Sequence, residues 1–237
     1  MGAFDIELLL QGLYPTGDQA GRPPAGAAAQ LAEAALPTRR AVPQHPAVWR
    51  VGERPTVPVR AIPCGIPELE RQLPGGGWQP ACINEVIGNG TGIGEVSVLL
   101  PALAHLSRRG ETVAWIAAPF IPYAPALQQA GVDLKQTLRI EARNEADALW
   151  AAEQSLRSGT CGAVLVWLTG ADHTALRRLQ LAAEAGNALC FVLRDRSHAG
   201  ATSPAAVRVA VDSDGRRRQV RLLKCRGGQS GHVSLAA

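Results

Sequence analysis

A glycine-rich loop is the stretch of this sequence whose residue types and spacing could do chemistry. In "EVIGNGTGIGEVSVLL", residues 85–100, a strand-like run ends in glycines and a helix-like run follows. Loops of this kind bind phosphate through backbone N–H groups and a helix N-terminus, and a lysine followed by Ser or Thr completes the site. The residues of the candidate loop are Gly88, Gly90, Thr91, Gly92, Gly94 and Glu95.

The loop lacks the lysine and the neighbouring hydroxyl that an active phosphate-binding loop needs. Glu95 follows Gly94 at the place where the lysine is expected, and its carboxylate would repel a phosphate there. A carboxylate at a helix N-terminus is itself stabilised by roughly 0.3–1 kcal/mol. We therefore predict a degenerate P-loop in which Glu95 replaces the phosphate, with no bound cofactor.

Positive charge is concentrated near the C-terminus. Residues 194–226 contain nine Arg or Lys and three acidic residues, which suggests an acidic partner, either DNA or a protein. Side chains of a tight turn project into solvent, so we expect the three arginines of the predicted turn to be available together. The predicted contact residues are Arg216, Arg217, Arg218, Lys224 and Arg226. A solvated strand edge, where arginine discourages strand pairing, also accounts for these charges.

Composition indicates a globular protein with one sizeable core. The chain has 237 residues, of which 46% are hydrophobic and 19% charged. No apolar run is long enough for a transmembrane helix, and the N-terminus lacks the basic region of a secretory signal. Neither the histidines nor the five cysteines show metal-ligand spacing, and we predict Cys82, Cys161 and Cys190 to be buried thiols in a reducing cytoplasm.

The order of segments predicts three parts. Residues 1–45 are rich in Pro, Ala, Gly and Gln and are expected to form a flexible N-terminal tail or linker. Residues 46–230 are predicted to form the folded domain, and residues 231–237 a C-terminal tail. Most of the five tryptophans should lie in the core, with Trp78 exposed at a contact.

Strands and helices alternate through the predicted domain, which indicates an α/β fold. The apolar strands predict a mostly parallel sheet flanked by helices on both faces, closed by an antiparallel hairpin of "AAVRVAVDS" and "RQVRLLKCR". Asn144 and Asp172 are expected to cap two helices, and Gly186 to end the second of them. Pro101 predicts a kink or a late start in the helix after the glycine-rich loop.

The chain resembles the RecA-like fold and, within it, the ImuA family of the bacterial translesion mutasome. The resemblance covers about residues 46–230 and is specific in the order of its segments. These segments are "GIPELERQLPGGGW", "INEVIGNGTGIGEVSVLLPALA", "ETVAWIAAPFIPYAPAL", "AVLVWL" and "PAAVRVAV…VRLLKCRGG". The resemblance implies a RecA-like core.

The resemblance also implies that the chain is not an enzyme. RecA-type ATPases carry Gly-Lys-Thr in the loop, an acidic residue after the second strand and an Asp that supports Mg²⁺ at the end of a central strand. Here these places hold Glu95, the run Ala118, Pro119 and Phe120, and Trp167. The lysine, the base and the metal support are thus all missing, which predicts an inactive scaffold.

Two basic residues in the last strand of RecA-type proteins reach the nucleotide of a neighbouring subunit, and Lys224 and Arg226 match their spacing. Because this chain is not expected to bind a nucleotide, the resemblance implies that these two residues contact a partner protein or DNA instead.

The resemblance implies a non-catalytic adaptor of SOS-induced, error-prone translesion synthesis. The implied partners are ImuB, RecA, and an error-prone replicative-type DNA polymerase reached through ImuB, with single-stranded DNA as a further candidate and no membrane. A SulA-type cell-division inhibitor is the first alternative, because that family also resembles RecA without a working loop. The second is a divergent ATPase. Chain length, the N-terminal tail and the basic hairpin favour the ImuA family.

Overall fold

The computed structural model describes residues 61–90, 92, 94–213, 217–227 and 231–236. The predicted N-terminal tail over residues 1–45 lies outside these ranges and stays a prediction. Thr91 of the loop and Arg216 of the basic turn also lie outside them, as does the side chain of Arg217.

The described residues contain a small two-stranded sheet and a large eight-stranded one. The strands are β1 (Ile62–Pro63), β2 (Gly77–Trp78), β3 (Cys82–Gly88), β4 (Thr112–Ile116), β5 (Thr137–Ile140), β6 (Cys161–Trp167), β7 (Leu189–Asp195), β8 (Val207–Ser213), β9 (Arg217–Cys225) and β10 (Gly231–Ala236). β1 pairs with β2, and the large sheet has the order β10-β9-β8-β3-β7-β6-β4-β5.

Six neighbouring strands of the large sheet, from β5 to β8, are parallel, and β8, β9 and β10 pair antiparallel. The predicted mostly parallel α/β sheet with a C-terminal antiparallel hairpin is confirmed. The predicted C-terminal tail is wrong for residues 231–236, because they form β10 and pair along β9, with Val233 opposite Val220. In "GHVSLA" every second residue is apolar or small, as in a strand with one buried face.

The helices are α1 (Pro67–Glu70), α2 (Leu100–Arg108), α3 (Ala124–Gln129), α4 (Glu145–Arg157) and α5 (His173–Gly186). None of these described helices is both long and apolar enough to cross a membrane. A 3₁₀ turn over Val96–Val98 precedes α2, and Pro101 lies in the first turn of α2. The predicted late helix start is therefore confirmed, since proline is tolerated only where its missing N–H has no helical partner.

Local capping defines the ends of the two long helices. The side-chain oxygen of Asn144 accepts a hydrogen bond from the Asp147 N–H at 2.8 Å, and that of Asp172 accepts one from the Ala175 N–H at 2.7 Å. Both predicted N-caps are confirmed. The predicted end of α5 at Gly186 is confirmed, and the next residue, Asn187, takes the left-handed conformation (φ 52°) that stops the helix.

Gly186 also has a packing role at the end of α5. A side chain there would collide with the main chain, since a Cβ on Gly186 would lie 1.7 Å from the carbonyl oxygen of Leu156. Glycine at this position therefore lets the end of α5 approach the end of α4.

Helices cover both faces of the large sheet, as predicted. Along β4, Val113 and Trp115 pack into a core with residues of α1 and α2, whereas Ala114 and Ile116 pack on the opposite face with residues of α4 and α5. This alternation follows from the two-residue period of a strand, and apolar residues on both faces are typical of a sheet covered by helices.

The tryptophan prediction is wrong at Trp78. Trp78, expected at an exposed contact, is fully buried, and its ring meets Phe191 edge-on at 5.2 Å. Trp150 is instead the exposed tryptophan among the described residues, with 63% of its surface accessible. β2 lays Trp78 against the large sheet, and α4 buries a stripe of alanines and Leu156, which leaves Trp150 on its outer side.

The thiol predictions are confirmed for Cys161 and Cys190, which are buried, whereas Cys82 is only half-buried. Burial raises the pKa of the Cys161 and Cys190 thiols, so both stay protonated at neutral pH.

Candidate functional site

The glycine-rich loop and the segment after β4 meet at the carboxyl edge of the parallel strands. The loop leaves β3 after Gly88, and residues 117–123 leave β4 beside it. Ala117, the first residue after β4, has φ 54°, a left-handed conformation that turns the chain sharply away from the strand. Ligands of α/β proteins bind at this edge of a parallel sheet, so it is the part of the molecule to search for a site.

The side chain of Glu95 accepts a hydrogen bond from the backbone of the glycine-rich loop. Glu95 is 7% exposed, and its Oε1 accepts a hydrogen bond from the Gly92 N–H at 3.1 Å. Its Oε2 is buried and has no hydrogen-bond partner among the described residues. A carboxylate thus takes a backbone N–H that a phosphate would otherwise use. Glu95 lies at the N-terminus of the 3₁₀ turn Val96–Val98, as predicted for a helical terminus, and α2 itself begins at Leu100.

Arg218 of β9 packs against the same loop. Its guanidinium donates a hydrogen bond to the Ser97 hydroxyl, and its Cδ lies 2.7 Å from where a Cβ on Gly94 would be. Gly94 has φ 92°, a conformation that favours glycine, and a side chain there would also displace Arg218. The prediction that the arginines of the turn project together into solvent is therefore wrong for Arg218, because β9 brings it to the loop.

Lys224 and Arg226, the other two predicted basic contacts, also hold the chain's own backbone. Lys224 Nζ donates to the Ser203 carbonyl at 2.7 Å, and Arg226 donates to the Pro204 carbonyl at 2.9 Å. Burial, followed by the charges of Arg226 and Arg208, lowers the pKa of Lys224. Both residues thus anchor the segment before β8, and their contact with a partner stays a prediction.

An apolar cavity of about 250 Å³ opens beside the loop. Trp115 and Trp167 form one side as a stacked pair with ring centroids 6.0 Å apart. Phe120, Ile121 and Tyr123, from the segment after β4, form another side. The positions that differ from an ATPase in sequence therefore come together in space, and the chemistry they present is apolar.

The residues that the sequence analysis compared with the catalytic groups of an ATPase lie together around this cavity. Ala118, Pro119 and Phe120 line it at the position expected for the catalytic acid, and Trp167 at the position expected for the metal-supporting Asp. None of these four side chains can abstract a proton or hold Mg²⁺.

A second cavity of about 210 Å³ lies at the ends of β3, β6 and β7. Glu95 and Trp167 line both cavities, so the two adjoin at these side chains. The second cavity is the more polar of the two, with Thr169, Arg194 and Asp195 in its lining together with glycines of the loop.

A buried cluster of three charged residues adjoins the second cavity through Arg194, which lines it. Glu85 on β3 is fully buried and pairs with two arginines: Arg194 on β7 through Oε1 at 3.2 Å, and Arg208 on β8 through Oε2. The arginines also donate to carbonyl oxygens of Ala171, His198, Ala199 and Ala201. The cluster therefore fixes the loops that follow β6 and β7.

The sequence analysis did not predict this cluster. Its signal was a single charged residue within each of three apolar runs, "INEVI", "FVLR" and "VRVAV". Because buried charges are almost always paired, those three positions could have been predicted to meet. Among the described residues, no three His, Cys, Asp or Glu side chains are grouped as metal ligands.

The amino-acid sequence of this chain is similar to those of two kinds of known bacterial protein. Residues 82–190, from β3 to the beginning of β7, match the family model described as "Cell division inhibitor SulA". The SulA of Serratia proteamaculans is 29% identical over 50% of this chain and 70% of that protein. A crystal structure of SulA from Pseudomonas aeruginosa aligns with a TM-score of 0.41 and 26% identity, covering 47% of this chain and 97% of that one.

Residues 82–190 are thus similar in sequence to SulA. Over a longer stretch the chain matches protein ImuA of Caulobacter vibrioides strain NA1000, with 29% identity over 78% of this chain and 86% of that protein. The resemblance to ImuA inferred from the sequence is confirmed, and the chain is a homologue of ImuA.

Proposed function

We propose that this chain is a non-catalytic adaptor of an SOS-induced, error-prone translesion DNA synthesis complex in the bacterial cytoplasm. Its RecA-like core binds RecA, ImuB or both, and it reaches an error-prone replicative-type polymerase through ImuB. Similarity to ImuA over 78% of the chain supports this role.

The observation that carries the proposal is the occupied loop. Glu95 accepts the Gly92 N–H, which is the kind of loop group that a phosphate would contact, and Arg218 packs on the loop against Gly94 and Ser97. A phosphate that entered here would approach the carboxylate of Glu95 and lose the hydrogen bond that Glu95 now accepts. The scaffold is therefore suited to binding another protein and poorly suited to binding a nucleotide.

Nucleotide binding is expected to be absent or very weak. Titration of the full-length chain with ATP and Mg²⁺ in a calorimeter should give no saturable heat below millimolar concentration. A control variant, Glu95→Gln, removes the negative charge and keeps the side-chain shape, so it tests whether charge repulsion is the reason. Micromolar binding or steady ATP hydrolysis by the unmodified chain would contradict the adaptor proposal.

The partners are tested with purified proteins. The tagged full-length chain should retain ImuB or RecA from the same bacterium in a pull-down and leave the cell-division GTPase in the supernatant. The match of residues 82–190 to the SulA model keeps a cell-division inhibitor as the second candidate. Retention of the division GTPase alone, with inhibition of its polymerisation, would establish that candidate instead.

A further inference from the structure

We infer that the two cavities beside the loop form one docking groove for a partner segment in which a large apolar side chain neighbours a Lys or Arg. The inference rests on the proposed adaptor function and specifies the chemistry that the adaptor recognises. The apolar side chain occupies the cavity beside Trp115, and the cationic side chain occupies the cavity between Glu95 and Asp195. "Docking groove" denotes these two cavities together.

The apolar half of the groove has an exposed rim that the fold itself does not use. Phe120, Ile121 and Tyr123 are 66%, 77% and 73% exposed, and all three line the cavity. Single exposed apolar residues are common on protein surfaces, whereas a contiguous group at a cavity marks an interaction site. The stacked Trp115 and Trp167 line the same cavity behind the rim, so an aromatic or aliphatic anchor that entered it would contact indole rings.

Among the described residues, no ion pair joins Glu95 or Asp195 of the acidic half to a cation. Glu95 is more than nine-tenths buried, and its Oε2 has no partner among the described residues. Asp195 is exposed, and the hydrogen bond from the Ser197 N–H at 2.9 Å lowers the pKa of its carboxyl, so it is ionised at neutral pH. An unpaired buried carboxylate oxygen is costly, and a cationic hydrogen-bond donor from a partner would relieve that cost.

The charges in the lining favour a cation over an anion. Of the described residues that line the two cavities, Arg194 alone is basic, and Glu85 pairs with it at 3.2 Å. Arg218 lies at the loop but already donates to Ser97. A nucleotide or an acidic peptide would place its negative charge beside Glu95 and Asp195. Charge complementarity therefore selects a basic side chain, and the apolar rim selects its neighbour.

The first test uses synthetic peptides with the full-length chain and does not depend on any cellular partner. The probe is a nonapeptide that alternates Leu or Phe with Lys or Arg, and its matched control has Glu at every basic position. Indole N–H signals of the tryptophans are followed by NMR. We expect the basic peptide to shift the signals of Trp115 and Trp167 saturably, and to leave those of Trp78 and Trp150 in place.

Substitutions then locate the binding. Phe120→Ala and Asp195→Lys should each weaken the basic peptide about tenfold, which is the size of effect that loss of an anchor or a charge partner produces. Trp150→Ala, which removes an equally exposed aromatic side chain from α4, is the matched control and should change nothing. The inference is overturned if the basic peptide shifts neither signal, if the acidic peptide binds equally well, or if ATP shifts them instead.

The second test separates this inference from the proposed function. The same three variants are assayed for binding to purified ImuB and RecA. If the unmodified chain binds one of them and Phe120→Ala and Asp195→Lys bind it equally well, the adaptor role stands and the docking groove is wrong. If the unmodified chain binds neither protein, the proposed function is wrong, whatever the peptides show.

Discussion

Glu85 is the residue on which two buried arginines depend. Replacing it by Gln would leave Arg194 and Arg208 buried without a countercharge, and breaking a buried pair in this way costs about 3–5 kcal/mol. We expect a loss of that size in the free energy of unfolding of Glu85→Gln, measured by urea denaturation followed by circular dichroism.

The control is an ion pair on the surface. The Nε atom of Arg109 lies 3.1 Å from Oε1 of Glu111, and both side chains are partly exposed. Glu111→Gln should therefore lower the free energy of unfolding by less than about 1 kcal/mol. Equal small losses for Glu85→Gln and Glu111→Gln would mean that water or rearrangement compensates the buried arginines, and that the cluster does not fix the loops beside the docking groove.

At the residue scale, sequence predicts what is decided locally. Asn144 and Asp172 were predicted as caps because a cap bonds to an N–H three residues away in the same chain segment. The contact of Arg218 with Ser97 joins positions 121 residues apart, and no local pattern reports it. Glu95 was an intermediate case, since its type and place predicted that it would replace a phosphate, whereas its unpartnered Oε2 became visible only in the structure.

At the scale of elements, the N-cap of α5 offers a direct test. Asp172→Ala removes the hydrogen bond to the Ala175 N–H and should lower the free energy of unfolding by about 1 kcal/mol. Asp172→Asn is the matched control, because asparagine caps helices about as well as aspartate, and it should stay close to the unmodified chain in urea denaturation. A similar loss in both variants would show that the charge matters rather than the cap.

The strands were predictable to different degrees for a physical reason. β6 and β7 are continuous apolar runs, because helices cover both of their faces, and such runs are recognisable without a partner. β10 has six residues, and only its alternation distinguishes it from a loop. Its existence depends on pairing with β9, a tertiary property that the sequence expresses weakly, which is why residues 231–236 were mistaken for a tail.

At the scale of the molecule, three of the five predicted basic contact residues bind the chain itself, and the test of a partner contact therefore falls on the other two, Arg216 and Arg217. Arg218 packs on the loop, and Lys224 and Arg226 bond to the segment before β8. If this region binds single-stranded DNA, Arg216→Glu combined with Arg217→Glu should weaken binding steeply at low salt and leave folding intact. Each phosphate contact that is lost should also reduce the slope of affinity against salt concentration.

The measurement is fluorescence anisotropy of a labelled oligonucleotide at several salt concentrations, with circular dichroism as the folding control. Arg177→Glu is the comparison variant, because it reverses one charge on α5, an element outside the basic C-terminal segment of the sequence. Unchanged affinity and an unchanged salt slope in the double variant would mean that the arginines of the turn form only a solvated strand edge.

The contact between Arg218 and Ser97 has a thermodynamic consequence for the whole molecule. An acidic ligand that engages Arg218 competes with the Ser97 hydroxyl for the same guanidinium. The binding free energy of that ligand then depends on the conformation of the glycine-rich loop. Because Glu95 belongs to the loop and lines the docking groove, it also depends on whether the groove is occupied. Linkage is reciprocal: whatever factor an occupant of the groove imposes on the affinity of Arg218 for an acid, the acid imposes on the affinity of the groove for its occupant. Two partners bound at these places would therefore change each other's affinity without direct contact.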